Sequence, residues 1–245
     1  MRIALQPAFV LHSRPYRETS VIVDLFTEEY GRITAVAKGV RQVRSTLRPM
    51  LQLFMPLLTS WQGKGELMTL TAAELNGTPG RLVGEYLLSG LYLNELVMRV
   101  LPKHDPHSGL FAIYRGTLLE LQSAKSQLKT LRLFEKKLLE ELGYGLQLQN
   151  DITSNEALVT DRYYRFLPEY GFERCMESIN QPNIFSGKSL LSFATEELND
   201  ESALRDAKRL MRLALSPLLG QQKINSRQLY SQLPREHNIE KVEVE

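Results

Sequence analysis

Residues 8–39, AFVLHSRPYRETSVIVDLFTEEYGRITAVAKG, contain three short runs rich in Val, Ile, Thr and Phe: AFVLHS (8–13), TSVIVDLFT (19–27) and RITAVAKG (32–39). Runs of this length and composition, divided by turn residues at Arg14-Pro15 and Tyr30-Gly31, read as β-strands. Two more follow further along the chain, LFMPLLTSW (53–61) and ELMTLTAAEL (66–75), joined through Gly63-Lys64-Gly65. Five strands with the longest connection between the third and fourth suit an OB-like barrel, a fold that binds oligonucleotides across one face and its loops. Periodicity alone leaves an SH3-like barrel open.

From Gly80 onward the apolar spacing becomes helical. Residues 81–101 are apolar on nearly every face, which marks a helix buried among others. Asp105-Pro106 offers an N-cap followed by proline at the first helical position, so a second helix is expected from there to about residue 123. A third spans about 127–142 and ends at Gly143. Residues 150–190 read as irregular, with a small hairpin around TDRYYRFLPEYG (160–171), and a last helix runs from about Ser202 to Leu215, stopped by Pro217. The expected fold class is therefore α+β: an N-terminal OB-fold β-barrel (1–79), then an α-helical C-terminal domain (80–235) with a small irregular insertion (about 149–190), and an acidic tail (236–245).

With 43% hydrophobic and 24% charged residues the chain can build a core, which excludes the disordered class. No apolar run reaches the ~18 residues a membrane span needs. The start is interrupted by Gln6 and Pro7 and lacks a cleavage site, so no signal peptide is read there. A lone cysteine, Cys175, excludes an internal disulfide and a cysteine-rich metal site. These features read as a cytoplasmic protein.

A net charge of +2 is uninformative, but the placement of charge is not. Between Gly31 and Gly65 stand Arg32, Lys38, Arg41, Arg44, Arg48 and Lys64, without a single Asp or Glu. On a barrel, such residues would line one edge and neutralise a run of phosphates; the plainer reading is a solvated loop. Two helices carry basic stripes, Lys125, Lys129, Arg132 and Lys136 on one, Arg205, Lys208, Arg209 and Arg212 on the other. The first is spaced i, i+4, i+7, i+11, which keeps it within one narrow sector. Of the aromatics, Phe26 and Phe54 alternate as core residues should, whereas Tyr16 and Tyr30 sit at strand edges where bases could stack.

Three features resemble catalytic or metal sites and fail on inspection. Ser186-Gly187-Lys188-Ser189 ends like a phosphate-binding loop, but Pro182 stands where the leading glycine belongs. His104, Asp105 and His107 straddle a helix start where Asp105 already has a capping role. Cys175 has no histidine near it in sequence. No catalytic residue is assigned, and no enzyme activity or cofactor is expected.

The run AFVLHSRPYRETSVIVDLFTEEYGRITAVAKGVR (8–41), continued by LQLFMPLLTSWQGKGELMTL (51–70), resembles the amino-terminal signature of the RecO family of bacterial recombination mediators. YLNELVMRVLPKHDPHSGLFAIY (92–114), LRLFEKKLLEELGYGLQL (131–148) and NSRQLY (225–230) are similar to its helical part. The resemblance implies a non-enzymatic protein of DNA repair and homologous recombination. Such a protein binds single- and double-stranded DNA, anneals complementary strands, contacts the C-terminal tail of single-stranded DNA-binding protein (SSB), and acts with RecR to load RecA, a nucleoid-associated role. It carries Arg17, Lys38 and Arg41 over as the first DNA contacts, and Arg14, Arg32, Arg44, Arg48 and Lys64 complete the expected DNA-binding set. The two helical stripes are expected to meet the SSB tail or DNA. Zinc occurs in relatives, but residues 143–175 offer Cys175 and no histidine, so a zinc-free insertion is expected.

Overall fold

The computed structural model describes residues 2–78, 80–123, 126–176, 181–220, 224–226 and 229. Five strands, β1 (Arg2–Tyr16), β2 (Ser20–Thr27), β3 (Gly31–Ala37), β4 (Leu57–Gln62) and β5 (Leu67–Leu75), form a closed barrel in the order β1-β2-β3-β5-β4. Every pairing is antiparallel except β3 with β5. That one parallel pairing follows from the long 38–56 connection, which carries the chain over the barrel end before β4 begins, and it defines the barrel as OB-like.

Strand β2 is buried on both faces. Val23 and Leu25 point into the barrel core with Val10, Ile33, Leu57 and Trp61. Phe26, one residue on, points out and joins Phe9 and Leu11 in a second core shared with the helices. This explains why SVIVDLF reads as a nearly continuous apolar run rather than an alternating one. At the junction, Phe9 and Phe26 each pack against Phe111 and Tyr114 with ring centroids 5.2–5.7 Å apart. Phe54 is buried here too. Its ring lies so close to Gly90 that a Cβ there would fall 2.7 Å from Cε1.

The helical part comprises α1 (Glu85–Val100), α2 (Ser108–Leu121), α3 (Gln127–Glu141), α4 (Gly187–Ala194) and α5 (Glu201–Leu219). Helix α2 begins after the expected Asp105-Pro106 start, at His107, without a side-chain cap. The cause is the barrel: the His104 amide donates to the Arg32 carbonyl at 2.9 Å, and the Asp105 backbone lies where a Cβ on Gly31 would sit. Segment 101–107 is thus committed to docking before the helix can begin. Helix α5 starts at Asp200, whose carboxylate accepts from the Ala203 amide at 2.7 Å, and runs through Pro217 to Gly220. Pro217 stands in the final turn, where the hydrogen bond it removes is one of the last.

The insertion is more regular than expected. Strands β6 (Tyr163–Leu167) and β7 (Gly171–Cys175) form the anticipated hairpin, and β8 (Ile184–Ser186) adds a third strand in the order β7-β6-β8. Tyr164, Phe166 and Phe172 are buried with Phe185, but Tyr163 and Tyr170 face solvent. Asp151 supplies the rest of the restraint: its carboxylate accepts from the amides of Thr153, Ser154 and Arg174 at 2.7, 3.1 and 2.8 Å.

Candidate nucleic-acid interface

The tight β1–β2 turn places Arg17 in a left-handed conformation (φ 52°) with its guanidinium 5.2 Å from the Tyr16 ring centre. The 38–56 connection folds back against this turn. Arg41 fixes it there, its amide donating to the Thr19 carbonyl at 2.9 Å and its guanidinium to the Arg17 carbonyl at 3.3 Å. Between the turn, the end of β3 and the start of β5 lies a cleft of about 780 Å³, lined by Tyr16, Arg17, Glu18, Lys38, Leu67, Met68 and Thr69 among others. A neighbouring cleft of about 390 Å³ is walled by Ser13, Val21, Val40, Arg41, Arg48 and Leu51. Four of the expected cations, Arg17, Lys38, Arg41 and Arg48, therefore line two adjoining clefts at one end of the barrel. Arg44 is exposed on the same connection, Arg14 on β1, and Lys64 in the β4–β5 turn next to the cleft wall at Leu67.

Arg32 is the exception. It begins β3, while Lys38 follows the end of the same strand, six residues and ~20 Å away. Its Nε donates to the Leu101 carbonyl at 3.2 Å. Burial lowers its pKa, opposed by the nearby Asp24 carboxylate. Arg32 is committed to the junction with α1 and stands apart from the other cations. Tyr30 is likewise withdrawn from stacking, because it meets Trp61 edge to face at 5.4 Å. Tyr16 remains half-buried in the cleft wall.

The first helical stripe does not form the expected outer face. Lys125 lies outside the described residues. Lys129 is half-buried, and Arg132 and Lys136 are buried. Arg132 pairs with Glu135 at 2.8 Å, and Glu135 also accepts from the Tyr92 hydroxyl. Lys136 donates to the Phe193 and Ala194 carbonyls at 3.4 and 3.2 Å and pairs with Glu196 at 3.3 Å, so its charge closes the C-terminus of α4. Regular spacing placed these cations on one sector, but Lys136 meets the end of α4 and Arg132 turns to Glu135 beside Tyr92 of α1, so the sector is covered. On α5, Arg205, Lys208 and Arg212 are exposed. Arg209 is turned inward, 4.4 Å from the Phe185 ring centre, donating to the Ile184 carbonyl at 2.6 Å and pairing with Asp206 at 2.9 Å.

The features that resembled enzymes have structural duties. Ser186 Oγ accepts from the Ser189 amide at 3.2 Å and caps α4, while a Cβ on Gly187 would collide with the Val159 carbonyl. Asp105 sits 3.2 Å from His107 Nε2, with its backbone against Gly31. The zinc site that the family resemblance raised does not fit the insertion: Cys175 is its single thiol, it holds no histidine, and the Asp151 carboxylate is already filled by three amides. Sequence reasoning missed Leu67, Met68 and Thr69 as cleft residues, since only the parallel β3–β5 pairing brings them beside Lys38.

Fold and cleft together define an OB-type barrel docked on a helical body, with a cationic barrel end. Residues 1–78 match the family model described as recombination protein O N terminal, and residues 81–228 the one described as recombination protein O C terminal. The chain is 46% identical over 228 residues to DNA repair protein RecO of Coxiella burnetii (strain RSA 493 / Nine Mile phase I), covering 93% of this chain and 98% of that one. It is 43% identical over 243 residues to DNA repair protein RecO of Nitrosococcus oceani, covering 99% of each. With DNA repair protein RecO of Dechloromonas aromatica the identity is 40% over 235 residues, covering 95% and 97%. The chain belongs to the recombination protein O family.

Proposed function

We propose that this protein is a non-enzymatic DNA-binding factor of DNA repair and homologous recombination, which holds DNA at the barrel end and anneals complementary strands. The observation that carries the reading is the pair of adjoining clefts bearing Arg17, Lys38, Arg41 and Arg48. Backbone phosphates are their natural occupants, because each neutralised phosphate releases condensed counterions. Annealing needs no reacting side chain: duplex stacking supplies on the order of 1.4 kcal/mol per step, and the protein need only screen repulsion and hold strands close.

In this reading residues 1–79 are the DNA-binding unit and residues 80–235 the helical partner-binding unit. An acidic SSB tail needs cations beside an apolar surface. Arg205, paired with Glu201 at 2.8 Å, Lys208 and Arg212 are exposed on α5, whereas Arg132 and Lys136 of α3 are buried, so α5 is the better source. RecR, and RecA through it, are the further partners that the family resemblance implies. The deciding experiment measures single-strand binding and annealing against salt for the native chain and for a Lys38→Ala, Arg41→Ala double variant, with nucleotide hydrolysis assayed in parallel. Salt-dependent binding that the double variant weakens supports the reading. Turnover of a nucleotide would overturn the non-enzymatic part.

A further inference from the structure

Val43 is 99% exposed, the highest exposure recorded for a large apolar side chain in the described residues. Single exposed apolar residues are common, so its setting matters more than its exposure. It sits in the acid-free connection between β3 and β4, flanked by Arg41 and Arg44. Other apolar residues of that connection behave differently: Leu47 and Met50 pack against the barrel core. The turn that presents Val43 is held firmly. The Gln42 amide donates to the Gly39 carbonyl at 3.1 Å, and the Ser45 amide to the Gln42 carbonyl at 3.2 Å. Val43 and Arg44 are the central residues of the second turn, so both side chains project from its tip. An apolar side chain that buries almost nothing within its own chain and stands between two cations of an acid-free segment suits a ligand that is both apolar and anionic.

We infer that Val43 is an apolar tip that seats against the face of an unpaired base while Arg41 and Arg44 hold the flanking phosphates. The inference rests on the DNA-binding reading above. In duplex DNA the base faces are stacked and hidden, and an alkyl group reaches little besides a thymine methyl. In a single strand the faces are open, and side chains that seat on them bind without reading sequence. Val43 therefore biases the basic connection toward unpaired strands, a preference that phosphate contacts alone cannot supply.

The test compares affinities for a single-stranded oligonucleotide and for its duplex in Val43→Ser, Val43→Leu and the Lys38→Ala, Arg41→Ala double variant. Val43→Ser is expected to lower the single-strand to duplex affinity ratio about fivefold, the effect of losing the partial burial of one branched alkyl group. Val43→Leu should keep the ratio. The salt slope should stay that of the native chain, since no phosphate contact is lost. An unchanged ratio in Val43→Ser, with binding still weakened in the double variant, overturns this inference alone. Unchanged binding in the double variant overturns the DNA-binding reading and this inference with it.

Discussion

Asn94 donates from its side-chain amide to the Leu11 carbonyl at 2.8 Å and accepts from the Tyr114 hydroxyl at 2.5 Å. The Leu11 carbonyl lies where the β1–β2 register shifts, between Val10 and His12, so the sheet ladder leaves it to a side chain from α1. Asn94 is 2% exposed, and burial pushes the Tyr114 phenol well above its ordinary range. Asn94→Ala strands two buried polar groups at once and is expected to cost about 2–4 kcal/mol. Because one core spans the junction, denaturant unfolding should remain a single transition with a lower midpoint. Two separate transitions in the native chain, or a loss below about 0.5 kcal/mol, would contradict this account.

Six cations, Arg17, Lys38, Arg41, Arg44, Arg48 and Lys64, are exposed at or near the clefted end of the barrel. At roughly −0.7 per neutralised phosphate on a single strand, they predict a log–log salt slope near −4. The Lys38→Ala, Arg41→Ala double variant should flatten it by about one to two units. Arg32→Ala should leave the slope intact and lower thermal stability instead, because its guanidinium holds the Leu101 carbonyl. An unchanged slope and affinity in the double variant would show that the barrel end is not the DNA surface.

The carboxylate of Asp151 is pushed upward in pKa by burial, yet the amides of Ser154, Thr153 and Arg174 together outweigh this and leave it below its usual value. A depressed carboxylate contributes stability that is complete above the unfolded value, about pH 3.9, and disappears as pH falls through the folded value. Asp151→Asn should therefore unfold more readily than the native chain at neutral pH, and the gap should close below about pH 3.9. Thermal melts across that range decide it. A gap that persists at the acid end would assign the effect to packing rather than to charge.

Charge reversal on α5 (Arg205→Glu, Lys208→Glu and Arg212→Glu together) is expected to weaken binding of an SSB-tail peptide at least tenfold while lowering the melting temperature by no more than about 6 °C, since exposed substitutions rarely exceed about 0.5 kcal/mol each. Arg132→Glu on α3 should instead destabilise by about 3 kcal/mol or more, because it leaves Glu135 buried opposite a like charge. Tail binding that survives the α5 reversal would remove that helix from consideration.

The insertion should need no metal. Purified protein is expected to carry less than stoichiometric zinc by elemental analysis, and its melt should not shift in chelator. A chelator-induced loss of several kcal/mol would refute this.

Strands were legible in the sequence because Val, Ile and Thr runs between Gly and Pro joints leave few alternatives, and the five expected runs overlap β1 to β5. The parallel partner of β3 was not legible: pairing across a long connection depends on where the chain travels, not on local composition. The cations at Lys38, Arg41 and Arg48 were found from the absence of acids around them. Arg132 and Lys136 misled because helical spacing fixes which residues share a face but not what covers that face. Glu135 was the available signal, since an acid three residues after Arg132 can form a partner on the same helix surface. Helix α4 was overlooked because a helix of eight residues has too few turns to show a period, although Ser186 is a good cap.

The double burial of β2 limits how this chain can be divided or inherited. A barrel cut at residue 79 would present Phe9, Leu11 and Phe26 to water as one adhesive patch. It would clump or recruit a surrogate cover before it could serve as a free module. Swapping barrels between relatives would succeed only where the donor brings rings that mesh with Phe111 and Tyr114. The seam near residue 79 separates two family models in sequence, yet physically it is a weld, and changes on either side of it must be compatible with the other.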